Sequence, residues 1–119
     1  MDEVGTAENR MAKQRLVAYV LWRRGREEVV AEKLDADGNW EPLKHIVRHS
    51  PVGPDWGYEG SGPADLALSI LTDAVGAELA DAFYTDFMAD VIAHLRAAGD
   101  AIPRDEIVAW FKWRGVEVS

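Results

Sequence analysis

The chain has 119 residues, a formal net charge of −8 and no cysteine. Its length suits one domain with one core, and the missing cysteine excludes disulfides, thiolate nucleophiles and cysteine-ligated metal clusters. The sequence shows neither a signal-peptide pattern nor an apolar stretch approaching the roughly 20 residues of a membrane-spanning helix. We therefore expect one cytoplasmic domain over residues 14–119, preceded by a flexible segment over residues 1–13.

The N-terminal half has the residue pattern of β-strands. Residues 15–23 are apolar on both faces, as in a central strand. Residues 27–34 alternate after a turn at Gly25, which predicts a β-hairpin with the first strand. Residues 40–47 follow a second turn and predict a third strand, which Pro42 would confine to an edge of the sheet.

After Pro63 the apolar residues repeat with the period of a helix. The pattern predicts one helix up to Gly76 and a second over about residues 77–96. Gly99 would end the second helix, and Pro103 would begin a third. Strands followed by helices predict an α+β fold, here an antiparallel sheet of about three strands covered by three helices. A short strand in the terminal sequence VEV is an additional option.

The segment DWGYEGSGPADLAL, residues 55–68, raises the question of a phosphate site because glycines precede a helix. It matches neither the P-loop pattern nor G-x-G-x-x-G, and no lysine follows Gly62. We interpret it as a helix start, with Pro63 at the first helical position and Gly62 or Ser61 as the N-cap. The Asp65 carboxylate would then accept N–H groups of its own first turn.

The same loop is predicted to position two aromatic rings. Its glycines, Gly57, Gly60 and Gly62, allow tight turns that fold Trp56 and Tyr58 back onto the sheet or the helix as a clasp. The alternative is that both rings are exposed and anchor a protein partner.

A longer segment carries a resemblance. The sequence HSPVGPDWGYEGSGPADLALSIL, residues 49–71, resembles the hallmark of a family of small uncharacterised proteins from phages, plasmids and bacteria, in which WGYxGSGPAxLALxIL recurs. FYTDFMADVIAHL and IPRDEIVAWF are similar to its later segments, so the resemblance covers about residues 15–111. Pro54 stands where the family usually has Phe, and Met88 where it usually has Lys. The family has no established activity, so the resemblance implies a mobile-element setting and no mechanism.

Two acidic patterns could suggest a metal ion. Residues 35–39 begin like a calcium loop but lack its glycine and its final glutamate, so we predict a turn. Asp86, Asp90 and His94 would share one stripe of the second helix. One helix alone supplies too few ligands, so a solvated helix face is the preferred interpretation.

The remaining histidines and hydroxyls give no catalytic pattern. His45 and His49 would share a strand face with Val47 between them, but a third metal ligand is not identified. Ser61 lies in G-S-G rather than in the nucleophile motif G-x-S-x-G. We therefore predict no catalytic residue, no metal and no cofactor, and a protein that is not an enzyme.

The acidic charge lies mainly in the C-terminal half, since residues 63–119 carry 4 basic and 10 acidic residues. This disfavours direct nucleic-acid binding and favours a protein partner with a basic surface. With the mobile-element resemblance, it predicts a non-catalytic interaction module. One form is a nucleic-acid mimic that inhibits a host nucleic-acid-handling complex, of the anti-defence or anti-CRISPR type. The candidate partner-binding residues are Trp56, Tyr58, Glu59, Glu78, Asp81, Asp86 and Asp90.

Two alternatives stay open. The loop from Trp56 to Ser61, with His45 or His49, could form the pocket of a small ligand-binding or metal-binding domain or of an enzyme. Exposed aromatics such as Trp113 could instead join two copies of a dimerising structural module.

Overall fold

The computed structural model describes residues 16–25 and 28–118. The predicted flexible segment, residues 1–13, lies outside the described residues. So do two residues at the tip of the first hairpin and the last residue of the chain.

The predicted hairpin is present. Strand β1 (Leu16–Arg24) pairs antiparallel with β2 (Glu28–Asp35). Strand β3 (Trp40–Pro42) pairs with β2 and is shorter than the predicted 40–47. It is short because the N–H groups beyond Leu43 turn away from the sheet: Ile46, for example, donates to a serine hydroxyl of the first helix at 2.8 Å.

A fourth strand, β4 (Gly99–Pro103), corrects the prediction of about three. It pairs antiparallel with β1, and the sheet order is β3-β2-β1-β4. Gly99 begins this strand and does not cap the preceding helix as predicted. A Cβ at Gly99 would lie 3.0 Å from the carbonyl oxygen of Leu21, so glycine permits the close approach of β4 to β1.

Three helices follow the predicted order. Helix α1 (Ser61–Val75) ends before Gly76, as predicted, because Gly76 has a φ of 94°. Helix α2 (Ala77–Asp90) ends before the predicted residue 96, and a 3₁₀ turn (Ile92–His94) follows it. Helix α3 (Arg104–Trp113) begins directly after β4. The VEV sequence, residues 116–118, forms no strand.

The core combines strand and helix side chains. Tyr19, Leu21 and Ile102 of the strands belong to one buried cluster with helix residues such as Ile70 and Phe111. A polar link joins the same elements. The Tyr19 hydroxyl donates to the Asp73 carboxylate of α1 at 2.7 Å, and Lys33 of β2 contacts the same carboxylate at 2.9 Å. Burial, aided by the Asp73 charge, raises the pKa of Tyr19, so this phenol stays neutral. None of the helices within the described residues has the length and apolarity that crossing a bilayer requires.

Candidate functional site

A buried carboxylate organises the loop between β3 and α1. Asp65 of α1 is completely buried. It accepts backbone N–H groups from Arg48 at 3.2 Å, from His49 at 2.9 Å and from Ser50 at 2.9 Å, and His45 Nε2 lies 3.2 Å from Oδ2. Burial raises the pKa of Asp65, but these donors together outweigh burial, so the pKa lies below its ordinary value.

This arrangement corrects the predicted role of Asp65. Helix α1 begins at Ser61, two residues before Pro63, with Gly60 as its N-cap and no side-chain cap. Asp65 is therefore the fifth residue of α1, beyond the first orphan N–H groups, and it satisfies the N–H groups of a distant loop. Sequence reasoning identified a carboxylate that accepts unpaired donors but assigned the donors to the wrong segment.

Trp56 is part of the interior, as the clasp interpretation predicted. Its side chain is 1% exposed, and the indole N–H donates to the carbonyl oxygen of Arg96 at 2.8 Å. The guanidinium of Arg23 lies 4.4 Å from the ring centroid and binds Asp55 at 2.9 Å. The candidate role of Trp56 as an exposed partner anchor is therefore wrong, because the ring is not accessible.

Tyr58 and Glu59 lie on the surface beside this clasp. Tyr58 is 49% exposed and donates its hydroxyl to Asp55 at 3.0 Å. Burial first, and then the hydrogen bond to Asp55, raise the pKa of Tyr58. Glu59 is exposed. Both residues stay candidates for partner contact.

The loop glycines serve close packing. A Cβ at Gly62 would lie 2.9 Å from Cβ of Asp55, and a Cβ at Gly60 would lie 3.0 Å from the Tyr58 ring. Gly57 has a φ of 89°, which favours glycine over other residues. The segment is therefore rich in glycine because its backbone packs closely against neighbouring atoms and because Gly57 has a positive φ.

A shallow cleft of about 370 Å³, wide open to solvent, lies where the loop meets α1 and α2. It is lined by His49, Gly60, Ser61, Ala64, Tyr84 and Thr85. His49 Nε2 lies 2.8 Å from the Tyr84 hydroxyl, and the two rings stack with centroids 5.9 Å apart. The cleft joins His49 and Ser61 of the predicted pocket, whereas His45 is held by Asp65 instead. Sequence reasoning missed Tyr84 and Thr85, which come from a distant helix.

The acidic surface of α2 is defined by four exposed carboxylates, Glu78, Asp81, Asp86 and Asp90. Arg48 binds Asp81 at 2.5 Å, and Arg114 binds Asp90 at 2.5 Å and Asp86 at 3.4 Å. The side chains of Asp81, Asp86 and Asp90 stay 67%, 58% and 45% exposed. The hydrogen bond from Arg114 is the main cause that holds the pKa of Asp90 below its ordinary value. Sequence reasoning missed both arginines because they are distant in the chain.

The two histidine patterns are not formed. His94 lies in the 3₁₀ turn after α2, so it does not continue the stripe of Asp86 and Asp90. His45 and His49 do not share a strand face because β3 ends at Pro42. Across residues 16–25 and 28–118, no group of three or more His, Cys, Asp or Glu residues is placed to hold a metal ion.

The acidic DADGN segment is a turn, as predicted. The Asp35 carboxylate accepts the backbone N–H of Asp37 at 2.8 Å and that of Asn39 at 3.0 Å. These bonds are typical of an Asx turn and give the Asp35 carboxylate a structural role.

Fold and site together define a small α+β domain with a four-stranded antiparallel sheet, three helices and a carboxylate-anchored loop. A family model described as "Family of unknown function (DUF6166)" matches residues 19–113. The chain therefore belongs to this family, in agreement with the expected resemblance to an uncharacterised family. No curated protein and no solved structure matches the chain.

Proposed function

We propose that the protein is a non-catalytic interaction module that binds a basic protein partner through the acidic surface of α2. The observation that carries this proposal is the exposure of Asp81, Asp86 and Asp90, between 45% and 67% of each side chain. Glu59 and Tyr58, also exposed, lie outside the helix and extend the set of candidate contacts.

The internal arginines weaken this surface without neutralising it. Four carboxylates face two arginines, Arg48 and Arg114, which leaves a local formal charge of −2. Solvent-exposed ion pairs contribute about 0–1 kcal/mol, so a lysine or arginine of a partner can replace Arg48 at Asp81 at little cost. Arg114 is 27% exposed and lies 4.3 Å from the centroid of the Trp110 ring, so a partner would contact Asp86 and Asp90 with Arg114 still in place. The overall charge of −8 adds long-range attraction to a basic partner.

The spacing of the carboxylates suits a groove that normally holds nucleic acid. Along the axis of α2, Asp86 and Asp90 are separated by about 6 Å, and they lie on the same side of the helix. That is about two phosphate steps of one strand of B-form DNA. The proposal therefore includes mimicry of nucleic acid and, through it, inhibition of a host nucleic-acid-handling complex. It also includes origin from a mobile element and location in the cytoplasm.

The test is charge reversal on α2 against a matched control. We expect a basic host protein retained by the wild-type chain to lose affinity at least tenfold for the double variant Glu78→Lys, Asp86→Lys, because the carboxylates become repulsive. The control, Glu41→Lys with Glu117→Lys, makes the same change in net charge at exposed positions outside α2. Binding measured between low and high salt should weaken steeply, and duplex DNA should compete for the partner. Equal loss in both variants, or salt-independent binding, would contradict the proposal.

The cleft supports a second candidate function, a small-ligand site. Its specific support is the meeting of the His49 and Tyr84 rings with the Ser61 and Thr85 hydroxyls, in a volume of about 370 Å³. Native mass spectrometry of freshly purified protein should then show a bound metabolite. The signal should disappear in His49→Ala and persist in His94→Ala, which changes an exposed histidine outside the cleft. An unliganded mass from several preparations would count against this candidate.

We also infer that the three helices lie on one face of the sheet. Two contacts support this placement: Tyr19 and Lys33 share a face and both bind Asp73 of α1. On the same face, Ile102 belongs to the buried cluster that contains Ile107 and Phe111 of α3. The opposite face of the sheet would then be open.

A further inference from the structure

The opposite face of the sheet consists of rows of paired residues, which we call the open face. Residues directly opposite each other on neighbouring strands point to the same face. The first row contains Trp40, Leu34, Ala18 and Pro103. The second row contains Pro42, Glu32, Val20 and Ala101.

The remaining rows of the open face are shorter. The third row contains Val30, Trp22 and Gly99, and the fourth contains Glu28 and Arg24. Only the fourth row is fully charged, so the first three rows are apolar except at Glu32. An antiparallel sheet with one solvated face normally alternates apolar and polar residues, and this sheet does not.

Among the apolar side chains of the open face, Ala18 is buried at 8% exposure, and the large ones are not part of the core. Trp40 is 53% exposed and Trp22 is 36% exposed. Among the described residues, the buried cluster and the side chains packed against it include Val29 and Ala31 of β2 but neither Val30 nor Leu34. The open face is therefore apolar surface that the described part of the chain leaves partly exposed to solvent.

We propose that a second copy of the chain covers the open face and forms a dimer with the first. The twofold axis of the dimer lies between the two sheets, is parallel to their strands and passes over the gap between β1 and β2. The proposal rests on the inferred placement of the helices and is independent of the acidic surface. The two sheets would pack face to face at a separation of about 10 Å.

Shape complementarity favours this occupant. The axis places β1 over β2 of the second copy and β3 over β4 of the second copy. Trp40 then lies over Pro103 of the second copy, and Trp22 lies over Val30 of the second copy. Leu34 lies over Ala18 in the same way. Large side chains therefore meet smaller ones, which is the condition for interdigitation of two apolar layers.

Charge complementarity favours the same axis. Arg24 and Glu28 pair within the chain at 3.4 Å, and the axis places Arg24 over Glu28 of the second copy. Glu32 is the one charged side chain of the apolar rows, and it accepts the indole N–H of Trp22 at 2.7 Å. Burying this carboxylate opposes association, because a single neutral donor replaces its water.

The area of the open face predicts a weak dimer. Four strands about 4.8 Å apart give a width of about 19 Å, and the four rows extend about 20 Å along β1. Because two of the rows are shorter, each copy covers at most about 400 Å² of flat face, or about 800 Å² in total, which is less than stable specific interfaces bury.

Sedimentation equilibrium on the full chain tests the dimer. The mass of the wild-type protein should rise with concentration from 13.2 kDa toward twice that value. Val30→Lys should weaken dimerisation at least tenfold because it places a charge under Trp22 of the second copy. Val52→Lys makes the same substitution at a residue that is 96% exposed and outside the sheet, and should dimerise like the wild type.

A second variant guards against effects on folding. Glu32→Gln keeps the shape of the side chain and removes its charge, so it should tighten the dimer severalfold. A wild-type chain that stays monomeric up to millimolar concentration would overturn the proposal. It would also be overturned if Val52→Lys weakened the dimer as much as Val30→Lys, if Glu32→Gln had no effect, or if dimers formed only after removal of residues 1–15. None of these results tests whether α2 itself binds a partner.

Discussion

Asp65→Asn is expected to lower the free energy of unfolding by about 3–5 kcal/mol, because it removes the charge that several buried donors share. The carboxylate is completely buried and accepts three backbone N–H groups of the loop from Arg48 to Ser50. An amide keeps one oxygen acceptor and turns its own N–H₂ group toward the remaining donors. Those donors would then be left without acceptors away from water.

The measurement is urea unfolding followed by circular dichroism, with Asp86→Asn as the matched control. Asp86 is 58% exposed and its nearest cation is 3.4 Å away, so its change should stay within about 1 kcal/mol. Equal effects of the two substitutions would mean that the loop does not depend on the Asp65 charge. In that case the apolar contacts of the loop would have to hold it.

The pH dependence gives the same prediction an independent readout. The folded-state pKa of Asp65 lies below its ordinary value, so the unfolded chain takes up a proton first as pH falls. The stability from this group is complete above about pH 4 and is lost as pH falls through the folded-state pKa. The stability difference between wild type and Asp65→Asn should therefore shrink below about pH 4. A difference that stays constant down to pH 2 would contradict the assignment.

Local sequence signals predicted the hairpin and the three helices because those elements are stabilised by neighbours in the chain. The turn at Gly25 and the helix end at Gly76 depend on backbone conformation alone. Strand β4 was missed because its five residues, GDAIP, have no strand periodicity of their own. It becomes a strand by pairing with β1, which no local pattern reveals.

The same distinction applies to the site. The burial of the Trp56 ring was predictable because large aromatic side chains are usually buried. The partners were not predictable, since Arg23 and Arg96 are far from Trp56 in the chain. Asp65 shows the limit most clearly. Its position near a helix start favoured a capping role, and only the tertiary structure shows which donors surround it.

The open face changes what the acidic surface can do. If two copies associate through their sheets, each dimer carries two copies of α2. A partner with two basic sites would then bind both helices. The geometry of the dimer would set the effective concentration for the second contact. Variants of Val30 and of Glu78 with Asp86 would separate the two contributions, because they change different surfaces.

Trp56→Ala is expected to lower the free energy of unfolding by about 3–5 kcal/mol, since it removes a fully buried aromatic side chain. The substitution also leaves the carbonyl oxygen of Arg96 without its donor and removes the ring beneath Arg23. Trp56→Phe retains most of the ring and should cost less, about 1–2 kcal/mol, mainly for the lost hydrogen bond.

Trp113→Ala is the matched control: its ring is 86% exposed, so we expect a change within about 0.5 kcal/mol. Thermal and urea unfolding of the three variants should rank them in this order, and a Trp56→Ala protein as stable as Trp113→Ala would show that the loop does not depend on the clasp.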